Sequence, residues 1–167
     1  KNIDRIIEAL EPFQKTNNEI VLDFYGAPSS TNTAEYYENL KRRYSTENFS
    51  NWVFFHGSIS HEQLPEISLK HDAFIHAFWG SLDKALLEAI LLERIVVSSN
   101  PEYLKEFYGR NIEEKMISQE LNKQLELIYA SSRGEILSDI DRKNRLALSR
   151  HSLDEWILKL TSILRNK

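Results

Sequence analysis

The chain has 167 residues, 41% of them apolar, which is one ordinary domain with enough apolar material for a core. Its formal charge is −4 with both signs interspersed, which argues against a generic nucleic-acid binder and leaves room for a local anion pocket. It has no cysteine, which excludes a disulfide scaffold, a thiolate nucleophile and a cysteine zinc site.

The opening residues place Ile3, Ile6, Ile7, Leu10 and Phe13 at helical spacing, which predicts a helix ending near Pro12. EIVLDFYG then reads as a buried strand closed by Gly26, with the polar loop APSSTNT after it. Asn32 and Glu35 have capping spacing for a second helix, whose inner face carries Tyr36, Tyr37, Leu40 and Tyr44. The cycle repeats with the strand WVFFHG, closed by Gly57. Ser60 and Gln63 then form a capping box before a short helix, with Pro65 in its first turn. DAFIHAFWG is a third strand, closed by Gly80, and SLDKALLEAILL is its helix. RIVVSS is a fourth strand, followed by a short helix at Pro101–Tyr108. The remainder is helical. Its apolar stripes are Ile117, Leu121, Leu125 and Ile128, then Ile136 and Ile140, then Leu153, Trp156, Ile157, Leu160 and Leu164.

Alternating strands and helices, with strands that are apolar throughout, predict an α/β fold: a Rossmann-like parallel sheet with helices on both faces. Residues 1–167 read as a single domain. No uncharged apolar run approaches the ~18 residues of a membrane span. The acidic, amphipathic opening KNIDRIIEALEPF has no cleavage pattern, so a cytoplasmic location is expected. The chain opens on a helix where such a domain opens on a strand, so a piece of a longer protein is expected.

Three of the five glycines, Gly26, Gly57 and Gly80, directly follow strands. Ligands of such folds bind at the carboxyl ends of the strands. Glycine there lets a ligand approach the backbone, although each glycine alone is explained by a turn. Ser81 is a good N-cap before the apolar helix. The amides of Leu82, Asp83 and Lys84 would then form an anion site suited to phosphate, with the charge of Lys84 added. The alternative is an ordinary capped helix with a surface lysine.

Glu88 lies in the second turn, among Leu86, Leu87, Ala89 and Ile90. A buried carboxylate needs partners. One candidate is Lys84, four residues earlier. The other is a ligand diol, as acidic residues commonly grip ribose in nucleotide sites. The histidines His56, His61, His71, His76 and His151 show no metal-ligand spacing. His56 and His76 fall at strand ends and are candidates for ligand contact, with a hydrogen-bonded structural role as the alternative.

The order of KNIDRIIEAL, VLDFYG, WVFFHGSISHEQLP and HDAFIHAFWGSLDKALLEAILLERIVVSSN resembles the C-terminal domain of a family-4, retaining GT-B glycosyltransferase (glycosyl transferases group 1). The resemblance covers residues 1 to about 100 and resumes at RHSLDEWILKL. GSLDKALLEA is its most specific piece. It implies one half of a GT-B fold, here without its first strand, that binds a nucleotide-sugar donor. A missing N-terminal domain would bind the acceptor. It implies transfer of a hexose-type sugar in polysaccharide or glycoconjugate biosynthesis, without metal or other cofactor. Peripheral membrane association of the full-length protein is compatible with it.

By the same resemblance, Lys1 matches a lysine on the donor diphosphate, and Ser81, Leu82, Asp83 and Lys84 match the helix start that receives it. Gly57, Ser58 and Ile59 match the turn beside the base, and Glu88 matches the glutamate that holds the ribose. The family's first motif glutamate, which touches the sugar, falls on Gly80. Glu93, Arg94 and Ile95 stand where the family often has Gly and Pro. The Gly80 departure motivates a second expectation, a degenerate domain that scaffolds another transferase. A sugar-nucleotide epimerase of related architecture fits GSLDKALLEA less well.

Overall fold

The computed structural model describes residues 2–16, 19–28, 30–109 and 120–154, apart from the side chain of Asn32. Lys1, Ile117, Trp156, Ile157, Leu160 and Leu164 lie outside the described residues. The chain divides into two compact units, Lys1–Ile67 and Ser68–Lys167.

The first unit contains helix α1 (Ile3–Thr16), strand β1 (Leu22–Tyr25), helix α2 (Thr31–Arg43), strand β2 (Val53–Gly57), a 3-10 turn (His61–Gln63) and the start of helix α3 (Leu64–Leu69). β1 and β2 pair in parallel, Leu22 with Val53 and Phe24 with Phe55. Ile6, Ile7, Leu10, Leu40, Tyr44, Trp52 and Val53 are the buried apolar side chains of this unit, together with Leu22 at the start of β1. α1 continues through Pro12, beyond the expected stop. Proline removes one helical hydrogen bond there. Burial of Leu10 on one side of it and Gln14 on the other offsets that loss by keeping one face continuous.

The N-cap of α2 is Ser30, not the expected Asn32. Ser30 and Thr33 exchange cap bonds, and Asn32 falls inside the helix. Ser60 and Gln63 form the expected box, with the Ser60 N–H donating to Gln63 Oε1 at 2.9 Å. Gly57 has φ +78°, a left-handed value that disfavours any side chain. Its carbonyl accepts the Gly26 N–H at 2.6 Å.

The second unit contains strand β3 (Ala73–His76), helix α4 (Lys84–Leu91), strand β4 (Ile95–Ser98), and helices α5 (Pro101–Tyr108), α6 (Leu121–Ala130) and α7 (Arg133–His151). β3 and β4 pair in parallel, from Ala73 with Ile95 to His76 with Ser98. The parallel α/β organisation is therefore as expected, carried by two strand pairs. The core joins Leu86, Ala89 and Ile90 of α4 to Val96 of β4, Tyr103, Leu104 and Phe107 of α5, and Ala147 of α7.

α6 meets β4 through a polar contact that apolar spacing does not announce. Gln124 accepts the Ser98 N–H at 3.1 Å and donates to the Ser98 carbonyl at 2.8 Å, as a neighbouring strand would. No described helix is long and apolar enough to cross a membrane.

Candidate functional site

The carboxyl ends of β3 and β4, the loop 77–83 and the first turns of α4 bring together most of the sequence-predicted site residues of the second unit. The N-cap of α4 is Asp83, not Ser81 as expected, and the helix begins at Lys84. Asp83 Oδ1 accepts the Ala85 N–H at 3.2 Å, and the Asp83 carbonyl accepts the Leu86 N–H at 3.1 Å. Aspartate at an N-cap satisfies an orphan amide and complements the helix dipole. The amides so engaged are those of Ala85 and Leu86, whereas the expected anion site uses those of Leu82, Asp83 and Lys84.

Asp83 Oδ2 lies 3.3 Å from Nε2 of His76, and His76 Nδ1 lies 3.3 Å from the Ser98 hydroxyl oxygen. That hydroxyl also accepts the Asn100 N–H at 3.1 Å. A neutral imidazole protonated at Nε2 satisfies the whole chain, receiving the Ser98 hydroxyl hydrogen at Nδ1. The order Ser–His–Asp is that of a hydrolase relay. Ser98 is fully buried and engaged by its neighbours, so its hydroxyl is no nucleophile. The relay instead ties β3, β4 and the start of α4 together.

Asn100 holds the loop. Its side-chain amide donates to the carbonyls of Phe78 (3.1 Å), Ser81 (3.2 Å) and, at the limit of a hydrogen bond, Gly80 (3.5 Å). Its Oδ1 accepts the Tyr103 N–H at 3.0 Å and caps α5. Asn before Pro101 announces a helix start in the sequence. The loop-holding role depends on a chain separation of about twenty residues and has no local signal.

Glu88 pairs with Lys84 at 3.0 Å; the lysine side chain is 77% exposed and the glutamate 23%. Of the two partners expected for this carboxylate, the structure contains the lysine. Gly80 lies under the ring of Phe78: a Cβ there would stand 2.8 Å from Phe78 Cε1. A side chain at position 80 therefore requires that ring to move.

In the first unit, Gly57 ends β2 and is half-buried, and of the residues directly after it Ser58 is exposed and Ile59 half-buried. His56 Nε2 is paired with Asp23, and its ring stacks on Tyr25 with centroids 4.7 Å apart. His56 and His76 thus both have protein partners. A groove of about 470 Å³, lined by Lys41, Arg42, Tyr44, Ser45 and Phe54 among others, lies beside the first residues of β2. No sequence signal pointed to it.

Comparison with curated proteins and with solved structures finds no match. The family model for glycosyl transferases group 1 matches residues 1–146, from the opening helix into α7 and across every strand described above. With most of its length matched, the chain belongs to the group 1 glycosyltransferase family.

Proposed function

We propose that the chain is the donor-binding half of a retaining, family-4, metal-independent transferase. It would move a hexose-type sugar from a nucleoside diphosphate to a polysaccharide or glycoconjugate acceptor held by an N-terminal domain. The family membership carries this reading. Lys84, whose side chain is largely exposed although paired with Glu88, would meet the diphosphate and stabilise the charge of the leaving group. Ser81, Leu82 and Asp83 would receive the diphosphate through their backbone at the loop, while the Asp83 carboxylate is engaged by Ala85 and His76. Glu88 supplies the acceptor for ribose hydroxyls, exchanging part of its pairing with Lys84. Lys1 adds a second cation, and Gly57, Ser58 and Ile59 flank the base. Work in the cytoplasm, with peripheral attachment to a membrane where a lipid-linked acceptor lies, fits this reading.

Titration of the full-length protein with UDP, GDP and ADP tests it. Saturable binding of one of them below millimolar concentration is expected, and a folded sample that binds none contradicts the reading.

A second reading is favoured by Gly80. The carboxylate that the family places on the sugar is absent, and the ring of Phe78 occupies the space a side chain there would need. A degenerate domain that scaffolds a partner transferase would show this. It predicts no turnover of any nucleotide sugar with the N-terminal domain present. Measurable release of nucleoside diphosphate decides for the enzyme.

A further inference from the structure

A singly exposed aromatic side chain is ordinary on a protein surface; one whose polar edge and loop are both held in place is less so. Trp79 is 51% exposed and stands in the loop between β3 and α4. Its indole N–H donates to the Ser99 hydroxyl at 3.2 Å, and Ser99 is buried just beyond the end of β4. The residues on both sides are fastened, since Asn100 binds the carbonyls of Phe78, Gly80 and Ser81. The ring is thus fixed by its polar edge while much of its surface faces solvent. Ordering of this kind lowers the entropic cost of binding a ligand to the ring.

The chemistry around the ring selects among ligands. The next residue, Gly80, offers no side chain. Asp83 closes the same loop with a carboxylate. Carboxylates accept hydrogen bonds from hydroxyl groups. An aromatic face carries negative charge density and attracts the slightly positive C–H groups of an apolar surface. A pyranose ring has both features: an apolar face of C–H groups and a rim of hydroxyls.

We propose that Trp79 is the stacking platform for the sugar ring of the substrate and supplies at position 79 the recognition that Gly80 cannot. The inference rests on the donor-binding reading above and adds a residue that determines which sugar is accepted. Ser99 acts as a positioning residue, because it orients the indole without reaching the ligand.

The test compares UDP-glucose, UDP-N-acetylglucosamine, GDP-mannose and ADP-glucose with UDP, GDP and ADP by calorimetry on the full-length protein. In the wild type, one nucleotide sugar is expected to bind. Trp79→Ala is expected to weaken that sugar nucleotide about tenfold while leaving the matching nucleoside diphosphate within about twofold. Trp79→Phe keeps a ring but loses the bond to Ser99 and is expected to give an intermediate loss; thermal melting of both variants checks their fold. Ser99→Ala is expected to give an intermediate loss for the sugar nucleotide only. Equal affinities of wild type and Trp79→Ala for the sugar nucleotide overturn the platform. So does a parallel loss for sugar nucleotide and nucleoside diphosphate, which would place the ring on the nucleotide. A wild type that binds none of these ligands overturns the donor reading and the platform together.

Discussion

Asp83 holds His76 and the start of α4 with the two oxygens of one carboxylate, at 3.3 Å to the imidazole and 3.2 Å to the Ala85 amide. Replacing the group removes a helix cap and a strand-end contact together. Asp83→Ala is expected to cost about 1 kcal/mol or slightly more, the usual range for a lost N-cap. Asp83→Asn keeps the cap acceptor and should recover more than half of that. Urea denaturation of the two variants measures the difference, and equal midpoints would show that the cap is unimportant.

The Lys84–Glu88 pair has one well-exposed partner, so it contributes only about 0.3–0.5 kcal/mol to stability. Glu88→Ala should therefore melt close to the wild type. If Glu88 grips a ribose, the same change should weaken nucleoside diphosphate binding about tenfold, as expected for hydrogen bonds to a charged acceptor. Calorimetry separates the two effects. Unchanged affinity in a folded variant assigns Glu88 to the helix alone.

Glu93 has φ +57°, in the left-handed region that glycine prefers. It follows the last residues of α4. The Glu93 N–H bonds to the Ile90 carbonyl and the Arg94 N–H to the Ala89 carbonyl, both at 3.0 Å, the two bonds of a Schellman ending. The backbone here takes the shape that glycine would provide at lower cost. Glu93→Gly is expected to stabilise the fold by about 1 kcal/mol. Differential scanning calorimetry should show a rise in Tm; a fall would mean that the Glu93 side chain outweighs its backbone strain.

A double-mutant cycle tests the crowding at Gly80. Gly80→Ala brings a methyl against Phe78 and is expected to cost about 1 kcal/mol. In a Phe78→Ala background the same change should be neutral or slightly stabilising, because alanine restricts the unfolded chain. Additive effects of the two substitutions would show that the ring moves aside freely.

Stability below neutral pH should depend on Asp139. Partial burial raises its pKa, but the Lys143 ammonium at 2.7 Å and the Arg142 guanidinium outweigh burial and hold it below the usual carboxylate range. The buried Lys143 also lies over the rings of Tyr103 and Tyr108. Glu106 is lowered in the same way: burial raises it, and hydrogen bonds and charge from Arg150 and His151 prevail. A folded-state pKa below the unfolded value gives stability that is present above the unfolded value of about 4 and is lost as pH falls through the folded one. Urea midpoints should thus decline below about pH 4. Lys143→Met should lose about 2 kcal/mol at pH 7, less than a fully buried pair because Arg142 remains, and should flatten that decline. An unaltered acid profile would remove Asp139 as its source.

Local spacing decided most of the elements. The capping box of Ser60 and Gln63, the Asn100–Pro101 start of α5, and the alternation of apolar strands with helices were all legible without coordinates, because each depends on neighbours within one or two turns. So was the Lys84 partner of Glu88, four residues earlier on the same helix. Pro12 was misleading, since a helix rule weighs one lost hydrogen bond and cannot weigh the burial of Leu10 and Gln14 around it.

The cap of α4 shows where local information ends. Ser81 and Asp83 are both good N-cap residues, and sequence spacing favours neither strongly. Asp83 takes the position in a structure where His76 meets its second oxygen and Asn100 holds the Ser81 carbonyl. Those partners come from β3 and from the residues after β4, far along the chain. By itself, then, the sequence determined the parallel α/β elements and the existence of the apolar helix that follows β3. The tertiary structure decided which side chain caps that helix, which carbonyls Asn100 gathers, and that Trp79 stands fixed and half exposed beside it. Hydrogen bonds between distant residues form only once the strands are paired, so no local pattern can encode their outcome.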